Sequence, residues 1–545
     1  MLYSFAANYT IFLSLLGYSF LFKLLVANKK NEILITNLDI IYGIITVIII
    51  ALISNFFIPL SKISAIILLI GIVFFLLTII KRIIKINFLG FAVILFFFCF
   101  IFYDNGNNVD SAVYHIQTIK WANLYKIVFG LSNLDRLYSL NSTWHIFLSV
   151  FKFKINSFDT IYVINILPLT ILFYEIFFSK DNDKKISYLT LYLSGVYLIF
   201  FAFLHPFKNG VIFNQYGNPE VDTVSMIFFI LSFYFFLKCI EENKEKYFNL
   251  LLISSIICIT TKITYSGVII FPIYIFIIEK KYFSKLKILY FSIFFSFIWF
   301  VRNFILTSCF VYPVKFTCLN TNWYYGDQKL DQLVNLTKGF SRDTRLREKY
   351  TDFEHTIYSW DWFIPWFNDY FLNTAMLKIT SIILIVSLIL YLISKLSLKE
   401  KNKKKNHVYF LIFAFLIHLS LWLQAPEIRF GFGLLIMFPC FFLAAAIHNI
   451  KLFNFMLDKK IYISVLIMFF ILLSYKNQIS LNYNNIKNPY VKNWDYSNAK
   501  SLGKFNGYEI FTNNWKCADF ENICVNRPKK NYNINENFGY LFFLK

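Results

Sequence analysis

Asp104, Asp110 and His115 share one polar stretch, Tyr103-Asp104-Asn105-Gly106-Asn107-Asn108-Val109-Asp110-Ser111-Ala112-Val113-Tyr114-His115, which follows an apolar run of membrane-helix character. The two acids are six residues apart and the histidine is five further on. A carboxylate at a lipid–water boundary is partly desolvated, which raises its basicity. It can then serve as a general base or as a metal ligand. Taken alone, the stretch is equally a hydrophilic loop that ends a helix.

Other charged groups stand at similar boundaries. Glu220 and Asp222 lie where another apolar run begins. A carboxylate at that depth is costly and usually has a partner or a role. Lys262 lies between two apolar runs in Thr260-Thr261-Lys262-Ile263-Thr264-Tyr265-Ser266-Gly267. It either snorkels to the surface or pairs with one of those acids or with a phosphate. Arg302 directly follows an apolar run, and Arg429 sits in Gln424-Ala425-Pro426-Glu427-Ile428-Arg429-Phe430 with almost no loop around it. Arg429 either pairs with Glu427 or binds an anion. The bidentate match of guanidinium to phosphate favours the anion.

The elements that must position these groups are membrane helices. The chain of 545 residues is 58% hydrophobic and 21% aromatic. It is only 15% charged, against about 25% for a soluble globular protein. Its mean hydropathy is +0.57. A chain this apolar cannot hide its side chains in a water-soluble core, which excludes a cytoplasmic enzyme, a nucleic-acid-binding domain and a disordered scaffold. The net charge of +22 then reflects Lys-rich loops rather than a nucleic-acid partner.

A spanning helix needs about 20 apolar residues. Candidates lie near 4–27, 37–58, 61–80, 87–103, 158–178, 187–204, 221–239, 247–261, 264–279, 285–301, 373–395, 407–424, 430–448 and 460–476. The expected fold class is therefore an all-α polytopic membrane protein with 13–14 transmembrane helices. The apolar stretch 141–155 is too short to span cleanly and reads as re-entrant or interfacial. Residues 111–129 carry roughly a helical period, with Trp121 and Tyr125 as interfacial anchors.

The basic connections Lys29-Lys30, Lys81-Arg82, 179–185, 238–246, 280–287, 395–406 and Lys459-Lys460 all fall on one side of such a topology. The positive-inside rule makes that side the cytoplasm. Both termini, the loops 104–157, 205–220 and 302–372, and the tail 477–545 then face outside. The chain divides into N-terminal helices (1–86), a core (87–476) and an extracytoplasmic tail (477–545). Cys309, Cys318, Cys517 and Cys524 all lie in the outer segments as two close pairs, whereas Cys99, Cys239, Cys258 and Cys440 lie in spans. Disulfides persist outside the cytoplasm, so Cys309–Cys318 and Cys517–Cys524 are candidate bridges; the alternative is four unpaired thiols. No phosphate-binding loop, HExxH, GxSxG or dinucleotide fingerprint is present in the sequence.

These features resemble the polyprenyl-phosphate-dependent glycosyltransferases of the GT-C fold, in which an acidic motif in an outer loop supplies the catalytic base. Asp-Asn-Gly-Asn-Asn-Val-Asp at 104–110 stands in that place, although it follows the fourth span and its acids are not adjacent. More narrowly, DSAVYHIQTIKW, VFGLSNLDRL and NSTW, with RN and YP at 302–313 and APEIRF at 425–430, are similar to a family of bacterial multi-pass proteins of surface-polysaccharide type.

The resemblance covers roughly 88–445 and implies transfer of a sugar from a polyprenyl-phosphate carrier to a glycan, lipid or protein acceptor. It places the chain in the bacterial inner membrane among membrane lipids, with the site facing outside. It implies Asp110 as base, with Asp104 assisting or holding a divalent Mg or Mn ion together with Asp110. Arg302, Arg429 and Lys262 would bind the lipid phosphate. His115 and Glu220 would line the acceptor side, with Asp222 and Tyr114 also at the substrate. The loop aromatics Trp323, Tyr324, Tyr325, Trp360, Trp362 and Trp366 would either stack on sugar rings or form an ordinary interfacial belt. The alternatives are an O-antigen-type polymerase or ligase and a lipid-linked-oligosaccharide flippase.

Overall fold

The computed structural model describes residues 1–26, 33–102, 108–155, 158–178, 185–204, 215–242, 244–279, 286–343, 357–397, 407–449, 494–514 and 516–544. Apolar runs become helices because backbone N–H and C=O groups buried away from water must find partners within their own segment. They form α1 (Leu2–Val26), α2 (Ile40–Phe57), α3 (Ser64–Ile80), α4 (Phe88–Ile101), α5 (Ile116–Leu124), α6 (Thr143–Val150), α7 (Ile166–Phe178), α8 (Ile186–Leu204), α9 (Asp222–Glu242), α10 (Glu245–Thr261), α11 (Ile270–Ile278), α12 (Leu286–Thr307), α13 (Asp327–Arg342), α14 (Ala375–Ser397), α15 (His407–Trp422) and α16 (Phe432–Asn449). A helix occupies every expected span except 460–476, which lies outside the described residues.

Among the described residues, six helices are long and apolar enough to cross a membrane: α1, α2, α9, α12, α14 and α16. Their burial differs sharply. In its most apolar window α9 is 94% buried and α14 only 22%, so α9 is a central helix and α14 turns most of its surface outward. Where α1 crosses α3 and α2, glycines permit close backbone approach. A Cβ on Gly17 would lie 1.9 Å from the Gly71 carbonyl oxygen, and one on Gly43 would lie 2.0 Å from that of Leu15. Small residues at such crossings are the usual device for packing membrane helices.

The expected helix over 111–129 exists and is mostly buried. It runs from Val109 to Leu124, with a π-turn at Ser111–His115 leading into α5. Trp121, expected as an interfacial anchor, is 5% exposed. The stretch 141–155 contains α6, eight residues and fully buried, hence about 12 Å long and too short to cross a bilayer.

The tail supplies strands. β1 (Lys154–Ile155) and β2 (Phe158–Asp159) pair within the core. In the tail β3 (Lys500–Phe505) pairs antiparallel with β4 (Tyr508–Thr512), which pairs in parallel with β5 (Ile523–Cys524). β6 (Asn533–Asn537) and β7 (Tyr540–Leu544) form a hairpin. These sheets share a core with the loop after α5: Ile510, Ile523, Val525, Ile534 and Phe543 pack with Trp121, Ile127, Leu131, Leu134 and Tyr138. Lys120 donates to the carbonyls of Phe520, Glu521 (2.9 Å) and Asn522 (3.0 Å), and Gln117 donates to that of Ala518 at 2.8 Å. The tail is thus fastened along the helix that begins at Asp110.

Both candidate bridges form, Cys309–Cys318 and Cys517–Cys524, and the four remaining cysteines are buried thiols. Digestion of the unreduced protein should therefore yield two internally bridged peptide pairs and four alkylatable thiols. Replacing Cys517 and Cys524 by Ser should cost about 2 kcal/mol of stability, the scale for a short closed loop. Eight alkylatable thiols in the denatured, unreduced protein would contradict this.

Candidate functional site

Four charged side chains from distant parts of the chain form one row. Asp222 opens α9, where a carboxylate is favoured by the positive end of the helix dipole. Lys262 caps the far end of α10 in an extended conformation (φ −150°, ψ 113°). A cation is favoured at that end for the same reason. The Lys262 ammonium donates to Asp222 Oδ1 and lies 4.0 Å from the centre of the Phe430 ring. Arg429 stands in the 3-10 turn Ile428–Phe430 just before α16. It donates to Asp110 Oδ2, and its Nε is 3.9 Å from Asp222 Oδ2. The order is Asp110, Arg429, Asp222, Lys262, alternating in sign throughout.

The row is open at one end. The Asp110 and Arg429 side chains are each 29% exposed, against 7% for Asp222 and 14% for Lys262. The Asp110–Arg429 pair is therefore the exposed end of the row. Gln215 steadies the closed end. Its amide nitrogen donates to Asp222 Oδ2 at 3.4 Å, and its amide oxygen accepts from the Thr223 N–H at 3.1 Å.

Glu220 lies behind the row and is fully buried. Its Oε1 accepts from the Ser111 hydroxyl at 3.5 Å, and among the described residues its Oε2 has no hydrogen-bond partner. Burial, and then the charges of Asp222 and Asp110, push its pKa up to about 8, against the pull of Arg429 and Lys262. Glu220 thus carries a proton at neutral pH. The turn that holds it is fixed by Asn165, whose amide nitrogen donates to the carbonyls of Asn218 and Glu220, both at 2.6 Å. The Asn165 oxygen accepts from Trp144 Nε1 at 2.7 Å.

His115, expected to line the acceptor side, is paired with a second histidine. It is buried, and its Nδ1 is 2.8 Å from Nε2 of His145 on α6. Burial, then the neighbouring His145, Lys262 and Arg429, hold it well below the usual histidine range. His145 is likewise pushed down to about 3 by burial, with the Pro219 carbonyl opposing. The pair is neutral and braces the helix start against α6. Tyr114 packs its ring on His115, with centroids 4.0 Å apart. Burial and then the charges of Asp110 and Asp222 push its hydroxyl pKa up.

The structure therefore gathers Asp110, Tyr114, Glu220, Asp222, Lys262 and Arg429. Arg302 bonds instead to Asn55 and Asn141. Asp104 lies outside the described residues. Of the aromatics, Tyr324 and Tyr325 are buried, and Trp366 donates to the Pro426 carbonyl at 3.3 Å. Sequence reasoning missed Gln215, Asn165 and His145; each is a single polar residue whose role depends on a partner remote in sequence.

The raised Glu220 pKa makes stability depend on pH. The folded state holds this proton to about 8 and the unfolded chain releases it near 4.5. The contribution is complete below the lower value, falls as pH rises between the two, and levels above the higher. Glu220→Gln should flatten the decline in Tm over that window. An unchanged slope would contradict the assignment.

No curated protein and no solved structure matches the chain. A family model does match residues 1–436, which hold every charged residue of the row. By that match the chain belongs to the family described as Domain of unknown function (DUF8201).

Proposed function

We propose that this chain is a membrane glycosyltransferase of about 14 spans. It would move a sugar from a polyprenyl-phosphate carrier to an acceptor outside the cytoplasm, in the assembly of surface glycan. The observation that carries the reading is the Asp110–Arg429 pair at the open end of the charged row. Glycosyl transfer needs a base for the acceptor hydroxyl and a cation for the departing phosphate. This pair supplies both side by side, at the boundary of apolar helices suited to a lipid tail.

The chemistry follows from the pair. With Glu220 neutral, two carboxylates face two cations, so an incoming phosphate meets no net repulsion. It competes with Asp110 for the Arg429 guanidinium, a group suited to bidentate phosphate binding. As Arg429 shifts to the phosphate, Asp110 is released to act as base. The acceptor hydroxyl gives its proton to Asp110, and its oxygen bonds to the anomeric carbon. The bond from that carbon to the phosphate oxygen breaks, and its electron pair leaves with the phosphate. Arg429, with Lys262 behind it, offsets the charge that develops there.

Among the described residues no group of three histidine, cysteine or acidic side chains is placed to hold a metal ion. Asp110 is already engaged by Arg429. Asp104, the other candidate ligand, lies outside the described residues, and the steps above use no metal. Trp360 is 71% exposed and stacks beside Trp362 with centroids 5.8 Å apart, which supports a sugar-stacking face for this part of the 302–372 loop.

The test is sugar release from a radiolabelled polyprenyl-phosphate donor by protein in nanodiscs. Asp110→Asn should lower turnover by about 10²–10⁴-fold, the scale of general-base catalysis, while expression stays normal and the protein, although less stable, remains folded at the assay temperature. An active Asp110→Asn protein would sink the reading. If Arg429→Gln were inactive at the same time, a polymerase or ligase would fit better. Equal carrier binding without release by either protein would indicate a flippase.

A further inference from the structure

A second cationic feature lies apart from the charged row. Arg302 sits in α12, five residues before the end of the helix at Thr307, and is 5% exposed. Its Nε donates to Asn141 Oδ1 at 3.0 Å, and its Nη1 donates to Asn55 Oδ1 at 2.6 Å. Both acceptors are neutral amides. Asn55 is held with its oxygen toward the guanidinium, because its nitrogen donates to the carbonyls of Ala122 and Tyr125, both at 3.0 Å. Among the described residues no carboxylate pairs with Arg302. An arginine cannot escape burial by losing its proton. A full positive charge therefore stands in a poorly polarisable setting without a counter-charge, which is costly unless something supplies one.

The surroundings supply more donors and no acid. Arg302, Asn55, Asn141, Trp121, Ser142 and Lys126 line a small cavity, and none of its lining residues is acidic. Among the described residues, Trp121 Nε1 and Ser142 Oγ are buried without a hydrogen-bond partner, in residues that are 5% and 7% exposed. Buried donors are rarely left unpaired in native proteins. The cavity volume is about 10 Å³, close to the space one water needs. A water would satisfy the indole and the hydroxyl but leave the guanidinium charge unanswered. One terminal oxygen of an oxyanion answers both requirements.

We infer that this pocket binds a phosphate-type oxyanion that inserts one oxygen among Arg302, Trp121 and Ser142. The site is distinct from the Asp110 row: Trp121 lies eleven residues beyond Asp110 on the same helix, about 16 Å along its axis. The inference does not rest on the glycosyl-transfer reading. The shared chemistry is a phosphate oxygen, from a lipid headgroup or from free phosphate. Phe297 and Phe300 on the same helix are 61% and 37% exposed, which puts apolar lipid-facing surface within two turns of Arg302.

The experiment measures Tm of the full chain in nanodiscs. One arm compares discs of phosphatidylcholine alone with discs containing phosphatidylglycerol. A second arm titrates inorganic phosphate against phosphatidylcholine discs, with chloride as control. Three proteins are compared: wild type, Arg302→Gln and Trp121→Phe. The last keeps the ring and removes the N–H, so it decides the matter if the arginine variant does not fold.

Wild type should be stabilised by phosphatidylglycerol if the source is a headgroup, or by inorganic phosphate if the source is free. The apparent affinity should fall by about tenfold or more in Arg302→Gln, the loss of one charge-assisted contact. It should fall measurably in Trp121→Phe. Three results would overturn the inference: no response to either phosphate source, a response that both variants keep in full, or chloride acting as strongly as phosphate.

Discussion

The alternating row Asp110–Arg429–Asp222–Lys262 is the constraint on which the rest of the arrangement depends. Charges at an apolar boundary are tolerated when each has a partner, and removing one partner leaves another stranded. The row joins the start of the helix at Val109, the start of α9, the end of α10 and the turn before α16. Four elements far apart in the chain must therefore converge. The Asp110–Arg429 end of the row is the more exposed, and the Asp222–Lys262 end is the more buried.

The helix that presents Asp110 is held from three sides. The neutral His115–His145 pair ties it to α6, and Ser111 reaches Glu220 behind the row. The disulfide-closed loop of the tail binds Gln117 and Lys120 through its carbonyls. The π-turn at Ser111–His115 turns the side chains there to faces that a regular helix would not give them, a recurrent feature of functional helices. The tail lies beyond the residues that define the family, 1–436, yet it fastens the helix that carries the site. Its sheets complete their core with Trp121 and Leu131 rather than by themselves.

Much of this was legible from the sequence, for physical reasons. Apolar runs of spanning length are written locally, so a helix stands at each expected span within the described residues. The paired cysteines were legible from spacing and position. The Lys262 pairing was an open choice that Asp222 settles. Other features depend on remote partners. Arg429 was expected to take an exogenous anion or Glu427; the structure adds Asp110, 319 residues away, as a hydrogen-bond partner. The partner of His115, His145, lies 30 residues away, and nothing nearby in sequence revealed it. The tail's alternating aromatic and polar residues were visible, but its docking on α5 depends on carbonyl acceptors, which leave no trace in residue type. Arg302 resembled a member of the main site because it directly follows an apolar run. Its amide partners, Asn55 and Asn141, come from α2 and the loop before α6.

The measurement that tests the central claim most directly is a double-mutant cycle between Asp110 and Arg429. The unfolding free energy would be compared for wild type, Asp110→Asn, Arg429→Gln and the double variant in one lipid. If the two side chains form the open end of a single charged row, the single changes should not add, with a coupling of about 1–2 kcal/mol. Additive effects within about 0.3 kcal/mol would mean that the residues do not engage each other, and the account of the site would fail with them.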